Sequence, residues 1–397
     1  MSVTINGTTG IDTIQDGIVT TAKIAADAVT TPKIADTVNL GRRNLIINGA
    51  MQVAQRYTSV TEVNYSDDGY WTADRWKNIG TGTTSAKVNI SQETDAPSGF
   101  KYSTKFAVHT TDTAIITGES WRVEQHIEAG NLRHLNWTLS NTDAKEVTLS
   151  FWVKSNKTGS WSVGLYMDST SGGTDTNKEN SQSYTINSAG TWEYKTLTFS
   201  GNTSTNMNSV DNDHGLRVWF HLMASSDITT GTANTWAGSE NRAIGQSINL
   251  FDDAANYWQF TGVQLEVGDT ATPFEHRSYG EELELCKRYF EKINYVNTEF
   301  VALGVSNLTT ASNASLSYTE KRVAPTINLP NAGQGSGNIS YLTSTGGYPS
   351  ATGDHSIQVA NTKQCRIYGF SYTGLTAGGP SFLYSTGTTS ISIDAEL

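Results

Sequence analysis

Three stretches of the chain alternate strictly between apolar and polar side chains. Val147, Leu149, Phe151 and Val153 share one parity, with Thr148, Ser150, Trp152 and Lys154 on the other. Leu216, Val218, Phe220 and Leu222 alternate with Arg217, Trp219 and His221, and Trp161, Val163, Leu165 and Met167 form a third row. A period of two sends successive side chains to opposite faces, so each stretch predicts a strand with one face on a core. Val263, Leu265 and Val267 predict another, which Gly268 and Pro273 end. Segments 184–186 and 192–199 read as further strands. Separated by Gly, Ser and Asn loops, the set predicts an all-β chain built on an antiparallel, jelly-roll-like sandwich.

After that last strand the period changes. Ser278, followed three residues later by Glu281, has the form of a capping box and predicts a helix start. Tyr279, Leu283, Cys286, Phe290 and Ile293 then fall at spacings of 4, 3, 4 and 3. Such a stripe covers about two heptads, too few for a coiled coil on its own. It serves either to pack the helix on its own sandwich or to meet the same stripe from other copies. Residues 294–397 return to strand patterns at 300–305, 314–318 and 390–394, and the loops 331–347 and 374–379 sit where recognition is commonly carried.

The first 43 residues follow neither period. Val19-Thr20-Thr21-Ala22-Lys23-Ile24-Ala25 recurs ten residues later as Val29-Thr30-Thr31-Pro32-Lys33-Ile34-Ala35. Units this small cannot bury their apolar groups alone, so the segment predicts a docking partner, further copies, or a disordered leader.

Composition narrows the function classes. The net charge is −11, with no basic run, which argues against a nucleic-acid surface because phosphate binding needs clustered Lys and Arg. No apolar run approaches the roughly 20 residues that span a bilayer, and no signal peptide is visible at Met1–Ile5. Cys286 and Cys365 have neither disulfide nor zinc spacing. The 10 Trp, 17 Tyr and 12 Phe are spread evenly enough to close real cores.

Catalytic patterns are absent: no nucleophile elbow, no phosphate-cradling Gly-Lys-Ser/Thr loop and no His-Glu-x-x-His pair. Glu124, His126 and Glu128 share one strand face and read as a hydrogen-bonded cluster rather than metal ligands. Asp211-Asn212-Asp213 does not fit an EF-hand, since Gly215 and Leu222 stand where that loop needs oxygen ligands; calcium in another geometry stays open. Asp67, Asp68 and Asp74 are the nearest candidates for a carboxylate pair, and surface solvation accounts for each as well. The sharper candidates are Trp152 and Trp219, on the polar faces of their strands. With His221, Arg217 and Lys154 they offer flat rings and donors for a sugar, unless a loop or a neighbouring subunit covers that face. No cofactor and no metal is expected.

Arg42-Arg43-Asn44-Leu45-Ile46-Ile47-Asn48-Gly49-Ala50-Met51, the turn Asp74-Arg75-Trp76, and the run from Gly262 through Phe274-Glu275-His276-Arg277 to Ile293 occur in that order. The combination resembles phage tail-fibre and tail proteins that carry a carbohydrate-binding-module-like sandwich, and it extends over about residues 15–293. The resemblance implies a virion structural protein, made in the host cytoplasm and assembled as a homotrimeric fibre. Residues 1–43 would attach to other tail proteins, 44–277 form the sandwich, 278–293 a connecting helix whose stripe joins the three chains, and 294–397 a tip that binds a host-surface glycan or protein receptor. The alternatives are a polysaccharide-degrading tail enzyme and a purely structural connector.

Overall fold

The computed structural model describes residues 42–82, 84–169, 177–238, 242–297, 299–329, 339–343, 354–372, 375–385 and 387–397. The ten-residue repeat, most of the 331–347 loop and Gly374 lie outside them.

The strands are β1 (Ser59–Asn64), β2 (Gly69–Tyr70), β3 (Lys77–Thr81), β4 (Lys87–Glu93), β5 (Ser103–Thr110), β6 (Ser120–Glu128), β7 (Val147–Ser155), β8 (Gly159–Met167), β9 (Lys178–Ile186), β10 (Glu193–Phe199), β11 (His214–Ala224) and β12 (Tyr257–Val267). They form two six-stranded sheets, in the orders β1-β4-β5-β12-β7-β10 and β2-β3-β6-β11-β8-β9. Every pairing is antiparallel.

The alternation sets which faces meet. Phe151 of β7 packs edge-on to Phe220 of β11 at 5.0 Å, and Phe260 of β12 meets the same ring at 5.4 Å. Val147, Leu149, Val153, Val163, Leu165, Leu216 and Val218 are all fully buried around them. Burying a side chain of this size contributes about 1.5–3 kcal/mol, so the inner faces of the two sheets supply the dominant stabilisation. The result is the jelly-roll-like sandwich that the pattern predicts.

After β12 the chain runs back along the sheet and enters α1 (Tyr279–Lys287), with the Ser278–Glu281 capping box formed in both directions. The helix stops earlier than the stripe predicts. Phe290 and Ile293 lie on β13 (Phe290–Tyr295), which pairs along its whole length with β21 (Thr389–Asp394). Backbone partners from the far end of the chain convert the second heptad into strand. β13, β21 and β16 (Thr326–Asn328) make a three-stranded sheet. It faces a six-stranded one built from β14 (Phe300–Ser306), β15 (Ser312–Ser317), β17 (Ile339–Thr343), β18 (Asp354–Ala360), β19 (Gln364–Phe370) and β20 (Pro380–Ser385), in the order β17-β20-β14-β15-β19-β18. Val301, Leu316, Ile367 and Leu383 close that core against Ile391 and Ile393.

Arg43–Leu397 form a single compact unit. Arg288 clasps Glu128 through two bonds of 2.7 Å, Arg56 pairs with Asp394 at 3.0 Å, and Tyr70 donates to the Leu397 carbonyl at 2.8 Å.

Candidate functional site

The outer face of the first sheet carries an open cleft of about 550 Å³. Its floor depends on a bulge in β12, where the register against β7 shifts between Thr261 and Gln264. Gly262 sits in that bulge at φ 62°, and a Cβ there would fall 2.7 Å from Phe100 and 3.0 Å from Trp152. Only glycine takes that backbone and leaves both rings in place.

One wall is the segment that leaves β12. Glu266 accepts from the Thr272 backbone at 2.8 Å and from its hydroxyl at 2.6 Å, and Gln264 accepts from the Glu275 backbone at 2.8 Å. These two outward polar side chains fold residues 271–276 back over their own strand. Phe274 and His276 then meet Phe100 in a three-ring cluster, with centroids 4.9 to 5.3 Å apart. The opposite wall is Trp152 with Tyr194, 5.3 Å apart and set side by side by the β7–β10 register. Tyr194 is 45% exposed, so the aromatic surface is open to solvent.

Charges beside the cleft are neutralised locally. Lys154, next on the same face, bonds Asp95 at 2.5 Å, and Asp95 also accepts from Trp192 at 3.1 Å. The Lys154 bond holds the Asp95 carboxyl below its usual range. Burial tends to raise Glu193, but bonds from Lys195, Ser188 and Asn187 outweigh it and bring it to about 2. The cleft is lined by aromatic, small and hydroxyl side chains with one histidine, and no Asp, Glu, Lys or Arg. Such a surface stacks and hydrogen-bonds; it has no pair of carboxylates to move protons.

Of the three residues expected to form a sugar platform, Trp152 lies half-buried in this cleft wall, whereas Trp219 is 2% exposed and His221 fully buried. The parity of β11 does send both to the outer face of the second sheet, but the chain between β11 and β12 folds across that face. Ala237 pairs with Glu179 through two backbone bonds of 2.9 Å, Ile244 donates to the Ser181 hydroxyl at 3.0 Å, and Gln246 accepts from the Ser162 backbone at 2.5 Å. Beneath this cover Trp219 lies between Tyr166, at 5.3 Å, and Arg122, at 5.4 Å. Arg217 is committed to Asp168 by two bonds, of 2.8 and 3.1 Å.

The proposed interface stripe is also divided. Tyr279 is exposed and Leu283 and Ile293 half-buried, but Cys286 is fully buried and Phe290 nearly so within the same chain. The Arg56 guanidinium covers the Phe290 ring at 3.5 Å. Those two residues therefore belong to the internal core.

The acidic candidates all have partners. Glu124 bonds Arg122 and His126; burial alone would raise its pKa, but the Arg122 guanidinium and the bonded His126 ring hold it far below the carboxylate range. Burial pushes His126 down to about 4. Glu128 belongs to Arg288, Asp211 to Arg133, and the Asp213 carboxylate caps its neighbour's backbone N–H. Asp67 and Asp68 accept from Asn64 and Gly80. Asp74 is buried and raised to about 6, mainly by that burial. Among the described residues no group of three or more His, Cys, Asp or Glu side chains is placed to hold a metal.

The three separated motifs converge on one polar knot. Asn44 donates to the Val263 carbonyl at 3.1 Å and accepts from the backbones of Ile46 and Leu265. Glu275 receives the backbones of Arg43 and Asn44, and Arg277 reaches the carbonyls of Asn44 and Ile46. Asn48 bonds the carbonyls of Val53 and Asp74 and accepts Trp76 on its own carbonyl. These residues hold the opening of the sandwich to its exit.

Phe100, Tyr194, Phe274 and His276 carry the cleft, and no sequence pattern assigns any of them a binding role. Phe274 and His276 lie inside the exit motif, and Tyr194 shares the parity of a polar strand face; nothing near Phe100 marks it.

No family model matches the sequence, and no curated protein does. Among solved structures, the chain is similar to the enzymatically active domain of tailspike protein 4 of bacteriophage CBA120, at 12% identity over 56% of this chain and 21% of that one, with a TM-score of 0.29. It is also similar to the family 11 carbohydrate-binding module of a Clostridium thermocellum cellulosomal cellulase, at 11% identity over 54% of this chain and 98% of that one, TM-score 0.27. A xylan-binding domain from Paenibacillus barcinonensis matches at 14% identity over 49% of this chain and 92% of that one, TM-score 0.25. The chain thus spans about a fifth of the tailspike domain. None of these likenesses assigns a site residue.

Proposed function

We propose that this chain is a virion tail-fibre component that recognises a carbohydrate on the host surface through the cleft of its sandwich. The observation that carries the reading is the placement of Trp152 and Tyr194 opposite Phe100, Phe274 and His276 across an uncharged floor. A pyranose ring offers an apolar C–H face and a rim of hydroxyls, and such a cleft presents flat rings to the first and Ser150, Thr272 and His276 to the second. The tail-fibre assignment rests on the motifs that resemble that group. With it go attachment through residues 1–43, assembly as a homotrimer and residence in the virion. Several weak sites on one particle gain effective concentration, so modest affinity per cleft suffices.

We read the role as binding rather than turnover, a reading supported by a cleft lining without the carboxylate pair that glycoside hydrolysis uses. A glycan array read with the full chain and with the Trp152→Ala and Tyr194→Ala variants tests this. Glycan signal that falls at least tenfold in both variants is expected. Unchanged signal in both overturns the cleft as the site, and release of reducing ends from a bound polysaccharide overturns the non-enzymatic reading.

A further inference from the structure

The two walls of the cleft differ in chemistry. Trp152 and Tyr194 present flat rings that each carry a polar atom, the indole Nε1 and the phenol Oη, and neither atom is hydrogen-bonded among the described residues. On the opposite wall the side chains of Phe100, Ala271, Pro273 and Phe274 are carbon alone, and His276 is the one polar ring. Phe100 and Phe274 stand edge to face at 5.0 Å with 70° between their planes, which makes a corner rather than a plate. A plate suits the face of a sugar ring, and a corner suits a compact apolar substituent.

The polar groups of the second wall are already engaged. The Pro273 carbonyl accepts from the Arg43 guanidinium at 3.2 Å, and the Thr272 carbonyl accepts from Gln264 at 3.2 Å. The Thr272 hydroxyl donates to Glu266 and accepts from Arg43 at 2.9 Å, which leaves it a single lone pair. Arg43 is thereby committed to this wall's own backbone and hydroxyl, and Lys154 is committed to Asp95. The lining itself holds no cation.

These features sort ligands. A sugar that stacks a C–H face on Trp152 turns other substituents toward Phe100 and Phe274. A hydroxyl placed there leaves water without gaining a partner, whereas a methyl group placed there gains by leaving water. A carboxylated sugar meets no counter-ion in the lining, on a chain whose net charge is −11.

We infer that the cleft selects uncharged saccharides bearing a methyl group, carried as an N-acetyl substituent or as the C6 of a 6-deoxy sugar. This rests on the reading of the cleft as a glycan site and names the kind of glycan it takes.

The test titrates the full chain against matched sugars on one carrier: N-acetylglucosamine against glucose, L-rhamnose against L-mannose, and glucuronic acid against glucose. At least one methyl-bearing sugar is expected to bind about fivefold or more tightly than its hydroxyl counterpart, and that pair identifies the substituent. Glucuronic acid is expected to bind at least about tenfold more weakly than glucose. Phe274→Ala should bring the methyl preference below about twofold, since it removes half of the corner. Hydroxyl sugars bound as tightly as the methyl-bearing ones in both pairs overturn the inference, as do glucuronic acid bound as tightly as glucose, a preference unchanged in Phe274→Ala, and a wild type that binds none of these sugars. Trp152→Ala separates the two readings. Binding that needs Trp152 but shows no methyl preference overturns this inference and leaves the glycan cleft standing, whereas binding and preference that both survive Trp152→Ala overturn the cleft itself and the inference with it.

Discussion

The guanidinium of Arg75 lies 3.5 Å from the centre of the Tyr289 ring. Arg75 belongs to the sandwich and Tyr289 to the chain just beyond α1, so the stack joins the two β regions. The same side chain donates to the His126 carbonyl at 2.6 Å and pairs with Glu396, and it is fully buried. Arg75→Met should therefore cost about 3–5 kcal/mol, because Glu396 loses its closest cation while remaining buried. Arg75→Lys should recover less than half of that, since an ammonium has no planar fork to serve both acceptors and the ring. Urea midpoints of the three proteins measure it.

Gly262→Ala should damage both stability and binding. Alanine disfavours φ 62°, a penalty of about 1–2 kcal/mol, and its Cβ would push Phe100 and Trp152 apart. A lowered midpoint together with weakened glycan signal is expected. A lowered midpoint with full binding would mean that the floor of the cleft does not set the spacing of its walls.

Phe274→Ala should separate local ordering from global stability. Each aromatic pair contributes about 0.5–1.5 kcal/mol, and Phe274 makes two in the exit segment. Hydrogen exchange should rise across residues 271–276 while the β7 and β12 amides keep their protection, and glycan affinity should drop severalfold.

Acid should act through one buried and one half-buried histidine. His126 and His214 face each other at 4.8 Å, and burial first, with mutual repulsion for His214, brings both to about 4. Their unfolded value is near 6.5, so the unfolded chain takes up protons first. The stability they contribute is complete above pH 6.5 and is lost as pH falls toward 4. Glu179 works in the opposite sense: burial lifts it to about 7 against the pull of Arg242, so its penalty fades over the same range. His214→Asn should thus lose less stability than the wild type between pH 7 and pH 4.5, as read by urea midpoints at each pH.

Alternation alone located β7, β8, β11 and β12, because one face of each strand is buried and period two leaves no other solution. It could not report what lies over the opposite face. Trp152 and Trp219 have the same parity signal, yet one lines a cleft and the other lies beneath Ala237 and Ile244, a difference made by a loop folding back. The stripe from Tyr279 to Ile293 failed for a related reason. Ser278 marks the start of the helix locally, whereas its end is fixed when Phe290 pairs with Asp394, about a hundred positions away. The cleft was legible only in part, since Phe100 and Phe274 are far apart in sequence and meet through Gly262, whose positive φ no residue pattern announces.

The exit segment has two sides. One presents Phe274 and His276 to the cleft, while the other receives the backbones of Arg43 and Asn44 on Glu275 and the Arg43 guanidinium on Thr272. Tension applied at Arg43 therefore reaches the cleft wall through Glu275 and Thr272 as directly as it reaches β12 through Asn44. Under the proposed attachment and glycan binding, such a load would strain the cleft wall itself, and Glu275 would share with the aromatic rings in setting how long a glycan is held.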